Sequence, residues 1–166
     1  FKSEWGAEGN IVTADLDNTA AGLYHADKSY IVPRIDSPNY IDTLLEICEK
    51  ENINSIISLI DPELNIISKN KKVFEEKGIE VFISEYKSIY NCFDKYKAYK
   101  EFKKHGLPTP ITFDNIEKFV DALSNKEIQF PVILKPRTGS GGKDVMLIDD
   151  MELLEYHWQN NDSQII

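Results

Sequence analysis

Apolar positions in the first half of this chain alternate between short runs and helical stripes. Ile11-Val-Thr-Ala14 and Tyr30-Ile-Val32 are compact runs, the second closed by Pro33, and both predict strands. Between Tyr40 and Asn52, the apolar residues Ile41, Leu44, Leu45 and Cys48 recur at helical spacing. Ser55 to Ile60 is nearly continuous in apolar residues, as a strand buried on both faces requires. Asp61-Pro62 then predicts a helix start, with Asp61 as N-cap and Pro62 at the first helical position. Gly78 predicts that helix's end, and Ile79 to Ile83 the next strand. Strand–helix alternation with short loops predicts an α/β fold, a Rossmann-like, doubly wound parallel sheet.

The second half reads differently. Ile89 to Cys92 is helical and closes the first unit, and Asp94 caps a second helix, Lys95 to His105, ended by Gly106. Leu107-Pro-Thr-Pro110 is a rigid linker, and Ile111 to Phe113 a short extended piece. Ile116 to Leu123 is an amphipathic helix, Phe130 to Asp149 a hairpin, Met151 to Trp158 a helix, and Gln164 begins a strand. These elements predict a smaller α+β subdomain. The boundary is placed at Asp94, giving domains 1–93 and 94–166. Both ends read as cuts: Phe1 to Trp5 resembles the tail of a helix or loop that Gly6 and Gly9 lead into the first strand, and Ser163-Gln-Ile-Ile166 a strand just starting.

The chemistry concentrates in Phe130-Pro-Val-Ile-Leu-Lys-Pro-Arg-Thr-Gly-Ser-Gly-Gly-Lys-Asp-Val-Met-Leu-Ile148. An apolar run ends in Lys135-Pro136, the loop carries Gly139, Ser140, Gly141 and Gly142, and Val145 to Ile148 forms a second run. Glycines let backbone N–H groups approach an anion closely, and a lysine supplies a point charge for phosphate. Spacing excludes two commoner phosphate loops. A Walker A loop needs Ser or Thr after Gly-Lys, where this chain has Asp144, and a dinucleotide fingerprint needs its third glycine at that same position. A plain hairpin turn is the simpler explanation, yet Lys-Pro and four small residues exceed what a tight turn requires. The reading is a flexible flap over a polyphosphate, with Lys135 on the strand beneath.

Composition narrows the partners. With 166 residues and 42% hydrophobic content, a genuine core is expected. A net charge of -9 gives no electrostatic reason to seek nucleic acid or an anionic membrane, so any phosphate site must be built from a few placed cations. The lysines between Lys95 and Lys104 fall at helical spacing and mostly describe a solvated face. Cys48 and Cys92 each lie in a helical pattern and are expected as buried free thiols, which fits a reducing cytoplasm. No apolar run approaches a membrane span, and His25, His105 and His157 have no metal-ligand spacing.

The order of these parts resembles the ATP-grasp superfamily, in its carbamoyl-phosphate-synthase-large-chain-like branch. The resemblance rests on Asp94-Lys95, Gly-Leu-Pro-Thr-Pro at 106–110, Ile-Leu-Lys-Pro at 133–136 and Gly-Ser-Gly-Gly at 139–142. Ala14-Asp15, Ala26-Asp27, Val32-Pro33, Tyr40-Ile41 and Ser58-Leu-Ile-Asp-Pro-Glu63 make the first unit similar to that family's preATP-grasp domain. The resemblance implies that Lys135 and Lys95 reach the ATP phosphates, that Thr138, Gly139, Ser140, Gly141 and Gly142 form the flap, and that Glu63 faces the acceptor substrate. It implies ATP and Mg²⁺ as cofactors, a small-molecule carboxylate activated as an acyl phosphate, and a nucleophile that attacks it. It also allows a homo-oligomer. The family's first strand with its glycine-rich turn is missing before Phe1. Its adenine-binding hinge would follow Ile166, with its Mg²⁺-binding Glu and Asn and catalytic Arg further on. This stretch alone is therefore expected to be inactive and to hold neither the metal ligands nor that arginine, and the resemblance names no catalytic residue within it.

Two other readings compete. Ile11-Val-Thr-Ala-Asp-Leu-Asp-Asn-Thr19 resembles the opening motif of haloacid-dehalogenase-type Mg²⁺-dependent phosphatases. There Asp15 would be the nucleophile, Asp17 the proton shuttle, and Asp149-Asp150 a late metal-binding pair. The other is a non-catalytic nucleotide-binding domain. Local structure offers simpler roles throughout: Asp94 as an N-cap, Glu63 as a first-turn glutamate favoured by the helix dipole, and Lys143 as a solvent-facing lysine.

Overall fold

The computed structural model describes residues 2–5, 9–158 and 163–166. Phe1, read above as part of a helix or loop tail, and Gly6, read as leading into the first strand, lie outside the described residues. Contacts divide the chain into two compact units, Phe1–Ile83 and Ser84–Ile166.

The first unit opens with a short helix, α1 (Lys2–Trp5), and has two parallel strand pairs. β1 (Val12–Asp15) pairs with β2 (Lys28–Ile31), Val12 opposite Lys28. β3 (Ser55–Ile56) pairs with β4 (Glu80–Val81). The helices are α2 (Tyr40–Glu51), α3 (Asp61–Lys69) and α4 (Lys71–Glu75). Leu44, Leu45 and Cys48 form the predicted stripe of α2 and are buried with Val32, Tyr40, Ile67, Phe74, Ile79 and Val81. Glu51 is buried on the same helix, which would be costly if unpaired. Lys28 Nζ donates to one of its oxygens and the Tyr30 hydroxyl to the other.

Several expectations need correction here. The apolar run from Ser55 to Ile60 pairs as a strand only over Ser55–Ile56, and Leu59 is 88% exposed. The Ser58 hydroxyl is turned toward Glu63 and the Ile60 carbonyl, so the backbone leaves the sheet to start α3. Ile60, not Asp61, is the N-cap: it is extended (φ -124°), and Asp61 is already helical, with Pro62 behind it. The helix predicted to run to Gly78 divides at Asn70, whose side-chain amide donates to the Ile66 carbonyl at 2.8 Å. Such local bonding by Asn competes with the helical ladder. Gly78 does lie at φ +77°, directly before β4.

The second unit contains α5 (Tyr86–Phe93), α6 (Lys95–Lys104), α7 (Ile116–Ser124) and α8 (Met151–Trp158). An antiparallel sheet in the order β6-β5-β7 is built from β5 (Val132–Pro136), β6 (Met146–Ile148) and β7 (Gln164–Ile165). Phe113 and Ile166 exchange backbone hydrogen bonds of 2.9 and 3.0 Å, so the expected extended piece lies against the end of β7. Side chains alternate across β5. Leu134 is fully buried against Phe119, Ile148, Leu154 and Ile166. Ile133 faces the other way and pairs with Leu147, and both are exposed. Cys92 is exposed on α5, against the expectation of a buried thiol, whereas Cys48 is buried and burial raises its thiol pKa.

Among the described residues, no helix is long and apolar enough to cross a membrane.

Candidate phosphate-binding site

The site is built where α6 begins and β5 ends. Asp94 precedes α6 in extended backbone, and its Oδ1 accepts the N–H groups of Tyr96 (3.0 Å) and Lys97 (3.1 Å). That is the N-cap role expected of it, satisfying two of the helix's orphan donors. Lys95, the first residue of α6, then stands at a fixed angle to the loop after β5. Its backbone N–H donates to the Arg137 carbonyl at 2.9 Å. Its ammonium donates to the carbonyls of Pro136 (3.0 Å) and Gly139 (2.9 Å).

The loop between β5 and β6 bends back through left-handed backbone. Gly139 lies at φ +101° and Gly141 and Gly142 at +71°, a region where a Cβ is disfavoured, which explains the glycines. Lys95, Pro136, Thr138, Gly139, Ser140, Gly141, Gly142, Lys143 and Val145 line a cavity of about 220 Å³. Two ammonium groups, two hydroxyls and a glycine backbone around one hollow suit an oxyanion.

Six of the seven cofactor residues read from sequence therefore gather at one cavity. Lys135 does not line it. It sits on β5 opposite Ile165, half-buried, at the alternation that also points Ile133 away from the core. Lys143 is exposed, as expected, and also borders the cavity.

Arg137 is the residue the sequence reading passed over. Its Nε lies 2.9 and 2.8 Å from the two carboxylate oxygens of Asp94, and its guanidinium 5.4 Å from the centre of the Tyr96 ring. A second carboxylate, Asp114, comes within 3.9 Å of the guanidinium. Asp94 is only 9% exposed. Burial pushes its carboxyl up, but the Lys97 N–H and the Arg137 guanidinium outweigh that and hold it below the ordinary carboxylate value. The signal was a lone arginine directly after Lys-Pro, with no local acid. Its partner lies 43 positions away.

In the first unit, Glu63 occupies the first turn of α3, and its carboxylate accepts the hydroxyls of Tyr40 and Ser58. Burial first, and this pairing second, raise the Tyr40 phenol well above its usual range. Asp15 Oδ1 accepts the Asp17 N–H at 2.9 Å, and Asp17 Oδ1 accepts the Thr19 hydroxyl and N–H at 2.7 and 2.8 Å. The Thr19 bonds hold the Asp17 carboxyl below its ordinary value, the wrong direction for a group that must carry a proton. Asp150 is spent on the N–H of Leu153 at the start of α8. The phosphatase reading finds no support in these contacts. Among the described residues, no three His, Cys, Asp or Glu side chains are grouped to hold a metal ion.

Comparison with known proteins bears on the family. Residues 1–82 match the family model of the PylC-like N-terminal domain, and residues 92–166 that of the ATP-grasp domain. The chain is 29% identical over 170 residues to a carbamoyl-phosphate synthase of Methanobrevibacter smithii, covering 98% of this chain and 42% of the relative. It is 28% identical to the 2-oxoglutarate carboxylase small subunit of Hydrogenobacter thermophilus, covering 95% of this chain and 34% of that protein. It thus spans less than half the length of both. Its fold matches the biotin carboxylase domain of the Hydrogenobacter thermophilus 2-oxoglutarate carboxylase, solved with MgADP, ADP and bicarbonate. The TM-score is 0.69 at 21% identity, over 99% of this chain and 39% of that one. Matched in succession, a PylC-like N-terminal domain and an ATP-grasp domain mark the chain as an ATP-grasp protein, and the carbamoyl-phosphate synthase relative agrees with the branch that its loop and helix order resembled.

Proposed function

We propose that the protein is an ATP-dependent ligase that activates a small-molecule carboxylate as an acyl phosphate for attack by a nucleophile. On this reading residues 94–166 hold the phosphate side of its nucleotide site, and residues 1–93 form the preceding preATP-grasp domain. The observation that carries the proposal is the convergence of Lys95 and the Thr138–Gly142 loop on one cavity. Lys95, the hydroxyls of Thr138 and Ser140, and the backbone N–H groups of the loop would hold phosphate oxygens. Lys135 would add its charge from the outer face of β5. Ile133 and Leu147, exposed side by side on that face, offer a flat apolar surface suited to a purine base. ATP supplies the phosphoryl group. These residues bind and orient it, which is most of what phosphoryl transfer asks of a protein. Magnesium is implied by the ATP reading. Among the described residues no three His, Cys, Asp or Glu side chains are grouped to hold it.

Glu63, fixed by Tyr40 and Ser58, is proposed to face the acceptor substrate. The free thiols fit a reducing, cytoplasmic setting. In the full-length protein, Lys135→Ala should weaken MgATP binding by about 1–3 kcal/mol, the cost of losing a charged hydrogen-bonding partner. Titration calorimetry measures it, and unchanged affinity would count against the assignment.

A further inference from the structure

Arg137 makes no hydrogen bond to the loop glycines, yet it sits between the two pieces of chain that form the site. Several contacts join those pieces. The Arg137 guanidinium holds both Asp94 oxygens, the Lys95 N–H donates to the Arg137 carbonyl, and the Lys95 ammonium spans the Pro136 and Gly139 carbonyls. The Arg137 N–H itself donates to the Ser163 carbonyl at 2.8 Å, which ties the same residue to the chain entering β7. Asp94 is buried and its carboxylate ionised, so it holds the arginine by charge as well as by hydrogen bonds. The contact runs through Nε alone, so the rest of the guanidinium is left to lie near the Tyr96 ring and Asp114, two contacts that a lysine's point charge would not keep together.

We propose that Arg137 is a positioning residue that acts through Asp94 on Lys95. By gripping the N-cap of α6, it makes the helix start and the exit of β5 one rigid piece, which aims the Lys95 ammonium into the glycine loop. The proposal rests on the nucleotide reading of the cavity. It assigns Arg137 no contact with the nucleotide.

The test is a double-mutant cycle in the full-length protein, read as the dissociation constant for MgATP by calorimetry, with thermal melting to show that each variant is folded. Arg137→Ala should weaken binding about tenfold, and Lys95→Ala at least as much. Arg137→Lys should recover only part of the loss. The decisive arm is Arg137→Ala in the Lys95→Ala background, which should cost nothing further, because a residue that works through Lys95 has nothing left to position. If the two losses multiply instead, Arg137 acts independently of Lys95 and the proposal fails. It also fails if Arg137→Ala binds MgATP as wild type does. Wild-type protein that does not bind MgATP would overturn the nucleotide reading itself and this proposal with it. If Arg137→Ala does not fold, the same cycle is run with Arg137→Lys, where non-multiplying losses support the proposal and multiplying losses overturn it.

Discussion

Asp94 illustrates how much one side chain can carry. It caps α6, holds Arg137, and is buried while charged. Its folded pKa lies below the ordinary carboxylate value, so its stabilising contribution is complete above that value and is lost as the pH falls through the folded one. Melting temperature should therefore drop below about pH 4. Asp94→Asn, which keeps a good capping residue but loses the charge, should lower stability at pH 7 and flatten that acid-side fall. An Asp94→Asn protein with an unchanged pH profile would show that the Arg137 pair contributes nothing. The cap was legible in the sequence because it needs only the next three residues. The Arg137 pair was not, because its two members are distant in sequence and meet only through the turn of β5.

At the scale of elements, the proposed nucleotide site makes β5 divide stability from binding by alternation alone. Leu134 is fully buried, so Leu134→Ala should destabilise the protein by about 2–5 kcal/mol, seen as a lower urea midpoint. Ile133 is 43% exposed on the opposite face. Ile133→Ala should change stability by less than about 1 kcal/mol while weakening MgATP binding, since that face is proposed to receive the base. Equal destabilisation by both substitutions would mean the outer face is structural. The hairpin, α2, α6 and α7 were readable from periodicity and caps. The strand at Ser55 was over-extended because an apolar run states that residues prefer burial, not that a neighbour exists to pair with them. The break at Asn70 was missed for a related reason: the amphipathic stripe continues across it, and only the side-chain bond to Ile66 divides the helix.

For the whole molecule, charge and topology set the range of partners. At a net charge of -9, no retardation by double-stranded DNA is expected at physiological ionic strength, and a mobility-shift titration checks this. Binding there would require a basic face that composition does not suggest. The sequence by itself determined the α/β character, the glycine loop and the lysines near it. Each of these follows from short-range pattern: period, capping, and backbone freedom at glycine. Only the tertiary structure decided that Lys95 rather than Lys135 lines the cavity, that Cys92 faces outward, and that Arg137 joins the two pieces of the site. Those outcomes depend on which residues distant along the chain become neighbours in space. The packing of the core imposes them, and no local preference encodes them.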